Sequence, residues 1–229
     1  MTSSREKILH KLREAQKPFP DAPPRPKQYL PVALVDDMSQ EGLLKQFSRI
    51  LQELKAEIFV VEGDEAACDK VIELLKSHNT TNLLAWDFKH IPVKYLEPAI
   101  KESGITIHYP EMHDEFRRET IETIHEAQAG LTGADIAIAA TGTMVVSTGS
   151  GKGRLPTVLP PVHIAVITLD QIVPRLEDWV TRQRANGLDT LWNSANVCFI
   201  SGPSKTADIE MELIYGVHGP GKVQVVVKK

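Results

Sequence analysis

Hydroxyls, glycines and cations collect at the ends of apolar runs in the last ninety residues of this chain, and that is where its chemistry is to be sought. In Thr141-Gly142-Thr143 two hydroxyls flank a residue free to take a positive φ, which suits a small oxyanion-binding turn or a tight hairpin turn that satisfies its own backbone. Gly149-Ser150-Gly151-Lys152-Gly153-Arg154 offers free amides and two cations. Such a loop holds a carboxylate or phosphate, with Arg154 as a bidentate clamp, or serves as a solvated hairpin extension. In Ser201-Gly202-Pro203-Ser204-Lys205-Thr206-Ala207-Asp208 an apolar run ends, a Gly-Pro turn follows, and hydroxyls and a cation stand at an expected helix start. Helix-start amides bind anions; equally, Ser204 or Thr206 caps the helix while Asp208 and Glu210 orient or complement its dipole. His163, after Pro160-Pro161, and His218, in a glycine-rich turn, act as bases only if the fold brings them to such a site.

Other chemistries fail on spacing. Val146 occupies the first glycine position of a Walker loop and Gly153 its hydroxyl position, and prolines follow where a helix would begin. Arg154 and Pro156 stand where a dinucleotide fingerprint needs its third glycine, and no Gly-x-Ser-x-Gly elbow occurs. His108 and His113 do not match zinc spacing. Cys68 and Cys198 belong to no Cys-x-x-Cys pair, so neither a disulfide framework nor an iron–sulfur cluster held by this chain alone is expected. No metal and no cofactor is expected.

The 229 residues, 42% hydrophobic and 24% charged, suit one large α/β domain with an arm. A net charge of −4 excludes a general nucleic-acid footprint, and no apolar run approaches the roughly 18 residues of a membrane span. Met1-Thr2-Ser3-Ser4-Arg5-Glu6 lacks a secretory core, and the expectation is a reduced, cytoplasmic protein.

The elements that must position these residues read as follows. Residues 3–16 form a capped, amphipathic helix, followed by a proline-rich link, so 1–31 is an arm reaching its own domain or a neighbouring subunit and 32–229 is the α/β domain. Helices are expected at the Leu43–Leu54 stripe, 64–77, 92–102, 114–129, 170–184 and 205–215. Strands are expected at 58–61, 83–86, 105–109, 135–140, 143–147, 162–168, 196–200 and 223–227. The alternation gives a three-layer α/β/α domain with a mostly parallel sheet, and the hairpin at 135–147 adds mixed pairing.

Taken together, Thr141-Gly142-Thr143, Arg154-Leu155, Leu159-Pro160-Pro161-Val162-His163, Ile200 to Glu210 and Gly216-Val217-His218-Gly219-Pro220 resemble the lactate-utilisation protein C family, built on the LUD domain, over roughly residues 40–229. The resemblance implies the fold shared by glucosamine-phosphate deaminase, ribose-phosphate isomerase and CoA transferases. It implies a role in oxidising L-lactate to pyruvate beside an iron–sulfur protein and a cysteine-rich-domain protein. Ala140 stands where many members carry an acidic residue. The expected function is an accessory or regulatory subunit of lactate utilisation, a possible homo-oligomer. It would bind a small anion through Thr141, Gly142, Thr143, Arg154, His163, Gly202, Ser204, Lys205, Thr206, Asp208, Glu210 and His218. The alternatives are a stand-alone transferase or isomerase acting on a phosphorylated sugar or CoA thioester, and an assembly scaffold without ligand.

Overall fold

A computed structural model of the chain describes residues 4–15, 35–109, 124–207 and 213–229. The chain divides into two units, Met1–Val32 and Ala33–Lys229. In the first, α1 (Ser4–Ala15) buries none of its residues.

The second unit is built on six parallel strands in the order β1-β12-β7-β4-β2-β3. They are β1 (Glu57–Val61), β2 (Asn82–Ala85), β3 (Thr106–His108), β4 (Ala129–Thr132), β7 (Val162–Thr168) and β12 (Lys222–Lys228). The central strands are almost wholly buried, as their continuous apolar runs require in a sheet covered on both faces. The flanking helices include α2 (Gln40–Glu53), α3 (Gly63–Ser77) and α4 (Leu96–Glu102). Ser39 caps α2 by accepting from the amide of Gly42, and Leu43, Leu44, Phe47 and Leu51 turn its apolar stripe inward. Gln224 crosses from β12 to His78 at the end of α3 (2.9 Å) and to Glu57 of β1 (2.7 Å), which fixes the polar edge of that face.

The hairpin expected at 135–147 is present, in a second sheet of four strands ordered β8-β5-β6-β9. β5 (Ile136–Ile138), β6 (Thr143–Ser147), β8 (Ile172–Val173) and β9 (Val197–Ile200) combine one parallel and two antiparallel pairings. The mixed pairing therefore lies beside the parallel sheet and not inside it. One face of the hairpin, Ala137, Met144 and Val146, joins the main core. The other, Ile136, Ile138 and Val145, packs on Trp179 of α5 (Leu176–Ala185). A short α6 (Asp189–Asn193) follows.

One expected helix is overturned and two are shortened at their front. The 170–184 helix begins only at Leu176, because a short strand and Pro174, which cannot donate to a helix, occupy its front. The 205–215 helix is a hairpin, β10 (Lys205–Ala207) paired antiparallel to β11 (Leu213–Tyr215). The 92–102 helix is shortened to α4, leaving 92–95 as a loop. The helix expected at 114–129 lies largely outside the described residues, and Ala129 already begins β4. Among the described residues no helix is long and apolar enough to cross a membrane.

Candidate functional site

The strand order marks one place for a ligand. From β2 the chain leaves toward β3, and from β4 it leaves the opposite way toward β7. Connections that diverge from the carboxyl ends of adjacent strands open a crevice there, where open α/β sheets bind ligands. The walls are Trp86-Asp87 and the 3-10 turn Phe88–His90 after β2, and Gly133-Ala134-Asp135 after β4. They approach so closely that a Cβ on Gly133 would meet the His90 carbonyl.

The loop 149–154 closes this crevice. Gly149 and Lys152 exchange backbone hydrogen bonds, forming a tight turn with Gly151 at φ 72°. The Asp87 amide donates to Gly151 O (2.9 Å), the Trp86 indole to Gly153 O (2.8 Å), and His90 Nε2 meets Ser150 O (3.1 Å). Lys152 Nζ lies 2.6 Å from Asp135 Oδ1, 2.9 Å from Ser147 Oγ and 5.4 Å from the Trp86 ring centre, while Asp135 Oδ2 accepts from the Ser147 amide. Lys152 is therefore an internal brace rather than a ligand cation. The amides of Ser150, Gly151, Gly153 and Arg154 donate to no group among the described residues. Arg154 is exposed, its carbonyl tied to the amide and hydroxyl of Thr157 and its guanidinium unpaired among the described residues. Lys89 lies 2.8 Å from Asp87 and holds its carboxyl below the usual carboxylate range.

The second group of polar residues is separate. Thr141 Oγ1 and Thr143 Oγ1 are 2.7 Å apart, and Thr143 Oγ1 is 2.8 Å from Ser201 Oγ, so the turns after β5 and β9 do meet. Gly142, at φ 58°, rests on Ile50 and Leu51 of α2, and Gly202 on the Leu54 carbonyl. The carboxyl end of a helix is its negative end, and no cation among the described residues is bonded to these hydroxyls. That setting favours hydroxyl-to-hydroxyl order over an anion. Thr143 and Ser147 stand at opposite ends of β6, about 13 Å apart at strand rise.

The remaining expected residues disperse. Ser204 receives the Gly216 amide and donates its own to Pro220 O, pinning the 202–205 segment to the 216–221 turn. Lys205 and Thr206 lie in β10, so the helix-start amides expected at Gly202 to Thr206 do not exist. Asp208 and Glu210 lie outside the described residues. His218 is exposed. His163 is wholly buried in β7, with Nε2 2.9 Å from Thr132 Oγ1 and Nδ1 unpartnered, and burial lowers its pKa to about 4. A ligand at a solvent-facing turn does not reach it. His108 bonds Asn82, and among the described residues no group of three or more His, Cys, Asp or Glu could hold a metal ion.

The sequence reading missed Trp86, Asp87, His90 and Asp135. The available signal was polar residues directly after the apolar strands β2 and β4.

The LUD domain family matches residues 44–227. A lactate utilization protein C of Halalkalibacterium halodurans is 35% identical over 73% of this chain and 70% of its own length. One of Macrococcus caseolyticus is 29% identical over 93% of this chain and 90% of its own. The crystal structure of a DUF162 family protein from Deinococcus radiodurans superposes at a TM-score of 0.58 with 19% identity, covering 84% of this chain and 100% of that one, a likeness of fold. Matched from α2 to β12, across both walls of the crevice and the loop that closes it, the chain belongs to the LUD domain family.

Proposed function

We propose that this protein serves in lactate utilisation as a subunit that holds a small carboxylate, of the lactate or pyruvate class, on the glycine loop over the β2–β4 crevice. Iron–sulfur and cysteine-rich-domain partner proteins carry the electrons. The relatives named lactate utilization protein C support the pathway. The observation that carries the site is the loop itself: four amides and the Arg154 guanidinium without partners among the described residues, beside a crevice at diverging strand ends. Amides and a guanidinium match a carboxylate in charge and in bidentate geometry. The internal Lys152–Asp135 brace holds the loop in place for them.

Thermal melts with L-lactate, pyruvate, a sugar phosphate and coenzyme A test this. At a hundred times its dissociation constant a ligand adds about 2.7 kcal/mol of stability. Lactate or pyruvate should stabilise the protein, and Arg154→Ala should weaken that binding about tenfold while leaving the ligand-free melting temperature within a degree or two, since an exposed loop arginine contributes under about 0.5 kcal/mol to folding. Stabilisation by the sugar phosphate or coenzyme A alone supports the transferase or isomerase reading instead. Wild-type affinity in Arg154→Ala removes the loop from the site.

A further inference from the structure

Beside the crevice, across the 3-10 turn Phe88–His90, lies a cleft of about 490 Å³ that the proposed carboxylate site does not use. It sits between the 88–98 segment and Lys228 at the carboxyl end of β12. Its size falls within the range of small-molecule sites, and it is far larger than a three-carbon acid needs. Ile91, Val93 and Leu96 supply buried apolar wall anchored in the main core, and Phe88 supplies a partly exposed ring.

Tyr95 at its lip is the unusual residue. It is 81% exposed and has φ 60°, a left-handed conformation that a bulky non-glycine residue rarely adopts. It precedes α4 without any side-chain cap bond. A glycine would give the same turn without strain, and the Tyr95 side chain makes no hydrogen bond or ring contact among the described residues. Residues held in strained backbone conformations cluster at active sites and ligand clamps. The charges around it are uneven. Glu97 bonds Lys101 and the Tyr109 hydroxyl, each within 2.8 Å, and Lys228 pairs with Asp64 at 2.6 Å. Lys94 gives its backbone amide to Asp64, while its exposed ammonium makes no hydrogen bond or close ion pair among the described residues and, behind Lys228, helps hold the Asp64 carboxyl below its ordinary range.

We propose that this cleft is a second binding site, for a planar aromatic anion: the ring stacks on Tyr95 over the apolar wall and the anionic group faces Lys94. It takes a ligand class different from the carboxylate of the loop.

The probe is 1-anilinonaphthalene-8-sulfonate, titrated into the full chain by fluorescence, with melting curves for each variant. Wild type should bind it saturably, one per chain. Tyr95→Gly should keep or raise the melting temperature, because glycine relieves the left-handed strain, and weaken binding about fivefold. Lys94→Ala should weaken it about threefold and remove most of its salt dependence. Non-saturable binding, or unchanged affinity in both variants, overturns the site. A fall of several degrees in Tyr95→Gly overturns the claim that the ring is held for a ligand.

Discussion

Lys152 in the crevice loop and Gly142 in a hydroxyl turn each make a measurable demand. Lys152 neutralises Asp135 while both side chains are mostly buried, at 18% and 23% exposure. Lys152→Met strands that carboxylate; a fully buried orphan costs about 3–5 kcal/mol, and the partial exposure reduces this to about 2 kcal/mol. Asp135→Asn added to it should recover part of the loss, a coupling that urea denaturation of the four proteins reads directly. Gly142 takes φ 58° with a would-be Cβ 3.0 Å from Ile50 Cγ2. Gly142→Ala should therefore destabilise by about 1–2 kcal/mol, also by urea denaturation. The sequence made Gly142 legible, because two hydroxyls around a glycine after an apolar run announce a turn. It made Lys152 legible only as a cation. Its partner Asp135 precedes it by 17 residues, and Trp86 by far more, so only the folded chain shows that the charge is spent internally.

Elements were legible where burial imposes a period. α2 and α3 read correctly from their stripes, and β7 and β12 from unbroken apolar runs, because each is pressed into the core. The 205–215 segment did not, since β10 and β11 are mostly exposed and nothing imposes an in–out alternation on them. Pro174 misled in the other direction: a proline fits a helix start as readily as the end of β8. α2 merits the sharpest test at this scale because Ile50, Leu51 and Leu54 seat both hydroxyl turns. Its start depends on Ser39, whose hydroxyl accepts the Gly42 amide at 3.1 Å and whose own amide donates to Asp37. Ser39→Ala should cost about 1 kcal/mol and Ser39→Asn much less, read from denaturation midpoints; equal losses would show that the cap contributes nothing specific.

At the scale of the molecule, the parallel sheet fully buries one titratable side chain among the described residues. His163 stands in register with Gly130 of the neighbouring strand, where the Pro156 carbonyl lies so close that no side chain fits on the glycine. One imidazole nitrogen meets Thr132 and the other has no hydrogen-bond partner among the described residues. Burial pushes its pKa from 6.5 down to about 4. Between these values the unfolded chain binds a proton that the folded chain refuses, so stability present at pH 7 is lost as pH falls from about 6.5 toward 4. The slope cannot exceed about 1.4 kcal/mol per pH unit, and the whole loss is about 3 kcal/mol. Carboxylates held below their ordinary range, such as Glu57 by Gln224 and Glu97 by Lys101, act with the same sign but at lower pH. The window from pH 6.5 to 5 therefore isolates the histidine. Urea denaturation across that window should show falling stability in the wild type and a nearly flat line in His163→Gln, which keeps a polar group beside Thr132 but does not titrate. The variant's absolute stability does not enter the comparison; parallel slopes in the two proteins would mean that His163 takes up no differential proton on unfolding and that the buried imidazole is not the acid-sensitive point of this fold.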